Sequence, residues 1–415
     1  MGGEDLPVPW GSSVVDNRVR FVVSLERGEG SVSALCERYG ISRETGHKWL
    51  RRWREGGFEA LRDSSRSPLT RPQGTAAAVV EALVAKRRER PHWGPRKLLA
   101  VLREEQPEMA WPAASTAGEL LKRAGLVAAR RRVRRAEPLE RPFAEAVTPN
   151  DEWAIDFKGW FRTGDGRRCD PLTVSDTASR MLLECRIMVP QTAPVAGACE
   201  QLFRSFGLPR RLRMDNGTPF ASRGAAGLTR LSVGWAKLGI ELARIEPGEP
   251  SQNGRHERMH GTLQRETAMT PAASLAAQQG RFDAFRREYN EERPHEGLGQ
   301  VPPVRLWQPS PRPYPGRIAE PWYPADHQVR RVRTDGTIRW RGGGLFISEA
   351  LTGEPIGLVE LASGDWLARF IDIDLGVVDR RGESFLPFAA ARPGRRKRQE
   401  QNKETVSHVS GPNCQ

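Results

Sequence analysis

The apolar residues change their spacing near residue 151, and that change constrains the fold more than any other feature of the chain. Between residues 17 and 127 they recur every three to four positions, the period of packed helices. From Asp151 they alternate. Trp153, Ile155 and Phe157 take one face and Ala154, Asp156 and Lys158 the other, which is the period of a strand. A chain that keeps the two periods in separate blocks folds as more than one domain, and 415 residues leave room for several.

In the first block, Arg18–Glu26 carries Val19, Phe21, Val22 and Leu25 at helical spacing. Ser31 is placed to cap a helix over Ser31–Tyr39, Gly40 breaks it, and Ser42 caps a second helix over Arg43–Glu55. Helix, short glycine-containing turn and helix form the helix-turn-helix pattern. The second helix turns Arg43, Thr45, His47, Lys48, Arg51 and Arg52 outward and keeps Trp49, Leu50 and Trp53 for packing. Donor-rich side chains there suit the base edges and phosphates of a major groove. After a Ser/Pro/Arg stretch, helices are expected over Ala76–Arg88, Pro95–Glu104 and Ser115–Ala124, the last capped by Ser115. The middle one opens on Trp93-Gly94-Pro95-Arg96-Lys97, which reads as a second small DNA-binding unit or as a helical spacer.

In the second block, strands are expected near residues 153–157, 172–174 and 181–188, then a helix over Ala196–Phe206 and a strand over Arg211–Met214. A helix over Leu228–Leu238, a strand over Ile240–Ile245, a Pro/Gly loop and a helix over Arg255–Glu266 follow. Strands in a meander and then alternating with helices indicate a mixed α/β sheet. Past Arg293 the chain is Pro-rich, and six short strands between Val329 and Val378 suggest a small all-β barrel. The expected divisions are 1–64, 75–135, 148–310 and 325–392, with a basic tail over 393–415.

Sixty-five Lys and Arg stand against 51 Asp and Glu, a net charge of +14. The surplus divides unevenly: +8 over residues 1–150, +2 over 151–300 and +4 over 301–415. The densest run holds Lys122, Arg123, Arg130, Arg131, Arg132, Arg134 and Arg135 with no acid among them, and Arg395–Arg398 adds a second. A near-neutral middle between basic ends fits a reaction core carried by nucleic-acid-binding arms. No stretch approaches the ~18 apolar residues of a membrane span, and the acidic, Pro/Gly-broken first residues do not form a signal peptide. Cys36, Cys169, Cys185, Cys199 and Cys414 are scattered and read as reduced thiols. The expectation is a cytoplasmic, DNA-associated protein with no membrane partner.

Three acids stand out by position. Asp156 interrupts the first core strand, Asp215 ends the strand before it and opens Asp-Asn-Gly, and Glu257 lies in the helix after the Pro/Gly loop. Carboxylates on a strand, a strand end and a helix can converge at one sheet edge, where a cation must offset their repulsion. All-oxygen ligands suit Mg²⁺ or Mn²⁺. Singly, Asp215-Asn216-Gly217 also reads as a plain turn and Glu257 as a surface acid. His256 and His260, without a third His or a Cys, do not read as a zinc site.

Trp153-Ala154-Ile155-Asp156-Phe157-Lys158-Gly159, Arg213-Met214-Asp215-Asn216-Gly217-Thr218-Pro219-Phe220 and Pro250-Ser251-Gln252-Asn253-Gly254-Arg255-His256-Glu257-Arg258-Met259-His260, in this order, resemble the DDE transposases of bacterial insertion sequences, whose core is retroviral-integrase-like. Tyr289-Asn290 and Arg293-Pro294-His295 resemble the segment that closes that core. The resemblance implies an α-helical helix-turn-helix N-terminal region, an α/β RNase H-like catalytic core over 148–310 and a small C-terminal all-β domain. It implies that Asp156, Asp215 and Glu257 are the catalytic and metal-binding residues for two Mg²⁺. It implies cleavage at the element's ends and transfer of the freed strand to target DNA by a homo-oligomer bound to terminal inverted repeats and target. Arg96 and Lys97, the Lys122–Arg135 run, Asn253, Arg255 and Arg258 are expected on DNA; Asn216 is expected to orient Asp215, to touch DNA or merely to turn the chain. Forty-one residues separate Asp215 from Glu257, more than in many relatives, and the extra length is expected within Ala221–Leu231. Glu241, Glu246 and Glu249 are rivals for the third carboxylate. A regulator with an inactive core and an RNase H-like nuclease without strand transfer are the competing functions.

Overall fold

The computed structural model describes residues 14–63, 74–127, 146–245 and 250–388. Its chain divides into two compact units, residues 1–75 and 76–415.

In the first unit, α1 (Val14–Glu26), α2 (Val32–Arg38) and α3 (Arg43–Gly56) pack around Phe21, Val22, Leu35, Cys36, Leu50 and Leu61. Both expected caps are present: Ser31 Oγ accepts from Ala34 N and Ser42 Oγ from Thr45 N. Leu50 is buried, whereas Trp49 and Trp53 are only half-buried. Gly46 allows α3 to lie close to α2, because a Cβ there would come within 2.4 Å of Cys36 Sγ. Gly46→Ala is expected to destabilise this unit by about 1–3 kcal/mol. Faster hydrogen exchange across α2 and α3 would register the loss; unchanged exchange would show that the contact is slack.

The second unit begins with three helices, α4 (Ala77–Glu89), α5 (Pro95–Glu105) and α6 (Ala114–Arg123), closed on Leu83, Trp93, Leu98, Leu99, Leu102 and Leu121. Ser115 lies inside α6, not at its cap. The N-cap position is Ala113, which makes no side-chain bond, because the helix starts one residue earlier than expected.

The α/β core follows. β1 (Glu152–Phe157), the hairpin β2 (Phe161–Arg162) and β3 (Arg168–Cys169), β4 (Pro171–Asp176) and β5 (Leu182–Ile187) lead into α7 (Thr192–Phe206). Then come β6 (Arg211–Met214), α8 (Arg230–Lys237), β7 (Glu241–Arg244), α9 (Gly254–Leu263) and α10 (Leu275–Glu291). The main sheet runs β5-β4-β1-β6-β7, with β1, β4 and β5 antiparallel and β6 and β7 parallel to β1. This is the RNase H-like arrangement. Trp153, Ile155, Leu212 and Met214 face α7 and α8 through one core. Cys185, Met259, Phe282 and Phe285 form a second core beneath α9 and α10.

The C-terminal strands are β8 (His327–Arg331), β9 (Thr337–Trp340), β10 (Gly343–Phe346), β11 (Pro355–Glu360), β12 (Trp366–Phe370), β13 (Ile373–Val378) and β14 (Phe385–Pro387). They form a five-stranded antiparallel sheet, β14-β13-β12-β11-β8, and a separate β9–β10 pair. Among the described residues this is not the closed barrel expected, since no ladder joins β14 to β8 or the pair to the larger sheet. Its core is not confined to its own strands. Ile338, Trp340, Ile356 and Phe370 share one cluster with Ala225, Leu228 and Val233 of the segment between Asp215 and β7. The tail from residue 389, with Arg395–Arg398 and Cys414, lies outside the described residues. Cys36, Cys169, Cys185 and Cys199 are free and buried.

Candidate functional site

Asp156 and Asp215 meet because β1 and β6 are parallel neighbours in register. Ile155 pairs with Met214, so the next residues on both strands stand side by side at the same sheet edge. Alternation puts Glu152, Ala154 and Asp156 on the face beneath α9, opposite the side that buries Trp153 and Ile155. Below the acids, Glu152 is 2% exposed, accepts two 2.8 Å bonds from Arg213 and one from Thr177 Oγ1, and lies 3.8 Å from Arg211.

Asp215 begins a tight turn in which its Oδ1 accepts from Gly217 N at 3.0 Å. A Cβ on Gly217 would come within 2.9 Å of Asp215 Oδ2, so glycine lets the turn close over the carboxylate. Asn216 is exposed, and its amide donates to Ile245 O at 2.7 Å, tying the turn to the end of β7.

Glu257 is exposed in the first turn of α9. Burial, then Asp215, then Glu257 push the Asp156 carboxyl up to about 7, against a hydrogen bond from Phe157 N and the Lys158 charge. The three carboxylates thus share one field, and oxygen-only donors under mutual repulsion fit a hard divalent cation. Their side chains are not gathered into a cage: among the described residues, no three His, Cys, Asp or Glu side chains are close enough to hold a metal ion. Glu241 is paired with Arg211 at the other end of β7 and β6, which removes it as the third carboxylate. Glu246 and Glu249 lie outside the described residues.

Because folding raises the Asp156 pKa from 3.8 to about 7, the native state holds a proton that the unfolded chain releases. Stability from this group is complete below about pH 4 and falls as pH rises to about 7. Asp156→Asn is therefore expected to flatten that dependence and, without divalent cations, to be more stable at pH 8 by about 1–3 kcal/mol. Melting curves from pH 5 to 8 test this, and parallel curves for the two proteins would contradict it.

The outer residues divide into groups. On α3, Arg43, His47 and Arg51 form an exposed stripe with Lys48 beside it, while Thr45 bonds the Ser42 cap and Arg52 donates to Arg62 O. Lys122 and Arg123 are exposed at the end of α6; Arg130, Arg131, Arg132, Arg134 and Arg135 lie outside the described residues. Arg96 and Lys97 lie where α5 meets the end of the core. Arg96 pairs with Glu296, and Lys97 is half-buried and pushed down to about 8 by burial and Arg293. Trp93 Nε1 donates to Glu288, Arg90 pairs with Glu288 and Glu292, and Arg305 pairs with Glu104. These residues dock α4 and α5 onto the end of the core. Asn253 is buried, which corrects its expected place on DNA, and Arg255 donates to Thr177 O. The Arg258 guanidinium is exposed and makes no hydrogen bond or ion pair among the described residues; the same holds for the guanidinium of Arg180, which burial, Arg255 and Arg258 lower to about 10. Spacing gave no sign of Arg180, because it follows a strand at a turn with φ of 67°.

Known proteins agree with this layout. Residues 238–303 match an integrase core domain, residues 45–121 a homeodomain-like domain and residues 17–68 a helix-turn-helix domain. Over 239 residues the chain is 31% identical to an uncharacterized 31.7 kDa protein of insertion element IS407 from Burkholderia multivorans, spanning 56% of this chain and 82% of that one. The chain belongs to the insertion-element transposase family with an integrase core. This insertion-element protein is also 31% identical over 242 residues to the uncharacterized 39.2 kDa protein of insertion element IS476 from Xanthomonas euvesicatoria, spanning 58% of this chain and 66% of that one's length. Solved structures similar to it include the catalytic core of BIV integrase (20% identity, 38% of this chain and 93% of that one, TM-score 0.29) and the HTLV-2 integrase catalytic core in complex with magnesium (14% identity, 39% and 98%, TM-score 0.30). No helix among its described residues is long and apolar enough to cross a membrane.

Proposed function

We propose that this protein is the transposase of its own element, cutting DNA at the element's ends and joining the freed ends to target DNA. The observation that carries the reading is that Asp156 and Asp215 directly follow the paired Ile155 and Met214 at one sheet edge, with Glu257 in the same field. These three carboxylates would hold two Mg²⁺, or Mn²⁺, which supply nucleophile activation and stabilisation of the leaving oxygen. In the first step water attacks the end phosphodiester and leaves a 3′-hydroxyl. In the second that hydroxyl attacks a target phosphodiester in line, so one P–O bond forms as another breaks and no covalent protein intermediate is needed. The chain's own part is to position the strands. Arg43, His47, Lys48 and Arg51 would read the terminal repeat, while Arg258 and Arg180 would take phosphates beside Glu257. Joining two ends calls for at least two copies on the DNA, and the protein would act where the DNA lies, in the cytoplasm.

The test uses DNA from just outside the reading frame, where inverted repeats should lie. With Mg²⁺ the expected products are a 3′-hydroxyl end and a joined species. Nicking without joining would make the protein a nuclease, and binding without either would make it a regulator.

A further inference from the structure

One buried hydroxyl joins the two elements that carry Asp156 and Glu257. Thr173 pairs with Asp156 directly across β4 and β1, and it is fully buried. Its Oγ1 lies 3.1 Å from Asp156 O, 2.8 Å from His256 Nε2 and 2.6 Å from His260 Nε2. Two residues along β4, Ser175 Oγ lies 2.6 Å from His256 Nδ1. Both rings are buried, and they sit on α9 one residue before Glu257 and three after it.

Proton counting fixes the roles. A threonine hydroxyl has one hydrogen and two lone pairs, and a carbonyl oxygen only accepts. The hydrogen of Thr173 therefore goes to Asp156 O, and both histidines donate to its oxygen from Nε2. Both rings are buried and face hydroxyl groups at hydrogen-bond distance, an environment that favours the neutral form. A neutral ring with hydrogen on Nε2 has a bare Nδ1, and at His256 that nitrogen accepts from Ser175. One assignment satisfies every contact. It leaves His260 Nδ1 bare, 3.9 Å from Asp156 Oδ2, so the two form no ion pair.

We propose that Thr173, with His256 and His260, is a positioning node that fixes the rotation of α9 against β1 and so sets where Glu257 stands relative to Asp156. This rests on the reading of those two carboxylates as reactive. Met259 and Leu263 seat α9 on the core and Arg255 ties its first turn to Thr177 O, while the two imidazoles bond it to the strand beside Asp156. Successive helix positions differ by about 100°, so even part of one step would carry Glu257 away from the sheet edge.

Thr173→Val keeps the shape and the strand preference but removes the hydroxyl; Thr173→Ser keeps the hydroxyl. Thr173→Val is expected to lower the turnover of strand joining by about 10- to 100-fold, with the KM for DNA unchanged. The Mg²⁺ concentration giving half-maximal rate should rise, and Thr173→Ser should restore most of the activity. Independently of activity, ¹⁵N-histidine spectra of the full chain should show two buried rings protonated at Nε2 only, with both resonances displaced in Thr173→Val. Wild-type turnover and Mg²⁺ response in Thr173→Val would overturn the node, as would rings protonated at Nδ1. If Thr173→Val does not fold, His260→Gln, which keeps a donor, should exceed His260→Leu in turnover, and equal rates would count against the node. If the wild-type chain joins no DNA at all, the functional reading fails. The ¹⁵N spectra and the Mg²⁺-induced shift in melting temperature, which should shrink in Thr173→Val, then decide the node alone.

Discussion

Asp156→Asn, Asp215→Asn and Glu257→Gln should each cut strand joining by roughly a thousandfold or more while the protein still binds end DNA. The size follows from the geometry. Asp156 and Asp215 stand side by side at the ends of parallel strands, and the field of Glu257 reaches Asp156. An amide in place of any one removes a negative charge from the group that would hold the cations, and no other described acid is placed to substitute. Binding should survive because the exposed stripe of Arg43, His47 and Arg51 is on a different compact unit. The decisive measurement is a joining assay alongside a gel-shift on the same DNA. If Glu257→Gln keeps wild-type joining and Glu246→Gln loses it, the third carboxylate has been misassigned. If all three variants stay active, the reaction does not use this edge.

The second large effect is on stability. Glu152→Ala should cost about 3–5 kcal/mol, because it takes the doubly bonded buried carboxylate from Arg213, 11% exposed, and leaves Arg211, 12% exposed, with Glu241 alone of its two acids. A melting temperature lower on the order of 10 °C is expected for a unit of this size. Glu152 and Arg211 pair across β1 and β6, four residues before Asp156 and Asp215. The ion cluster at the base of these strands therefore supports the register that aligns the acids at their ends. Glu152→Leu is a useful control. If an apolar side chain melts at the wild-type temperature, the cluster serves register and not stability, and joining activity then becomes the readout.

Much of this arrangement could be read from the residues because it depends on period and punctuation. Ser31 and Ser42 cap where a short polar side chain before an apolar run should cap, and Arg211–Met214 forms a strand with the expected bounds. An acid between Ile155 and Phe157 marks a strand whose polar face has a use. The misses have physical causes. Residues 275–291 form the longest helix among the described residues, yet its buried side includes Gln278 and Asn290, so apolar spacing did not reveal it. Gln278 and Asn290 are buried because they bond main-chain groups of Ala272 and Leu182. The pairing of Arg96 with Glu296 was not legible either, because charge alone does not say which acid a basic side chain will meet. Thr173 and Ser175 gave the least signal, since small hydroxyl residues in a strand are ordinary until a helix brings two imidazoles to them.

The segment after Asp215 bears on how such proteins can be rearranged. The stretch expected to carry the extra length contributes Ala225, Ala226 and Leu228 to the cluster that holds Ile356 and Phe370, and Ala226 N donates to Phe388 O. It is a socket, and the C-terminal sheet is its plug. A hybrid that takes residues 325–388 from a relative should fail unless residues 221–236 travel with them. Over evolutionary time the two segments should be inherited, lengthened or lost together, although about 90 residues of other structure lie between them in the chain.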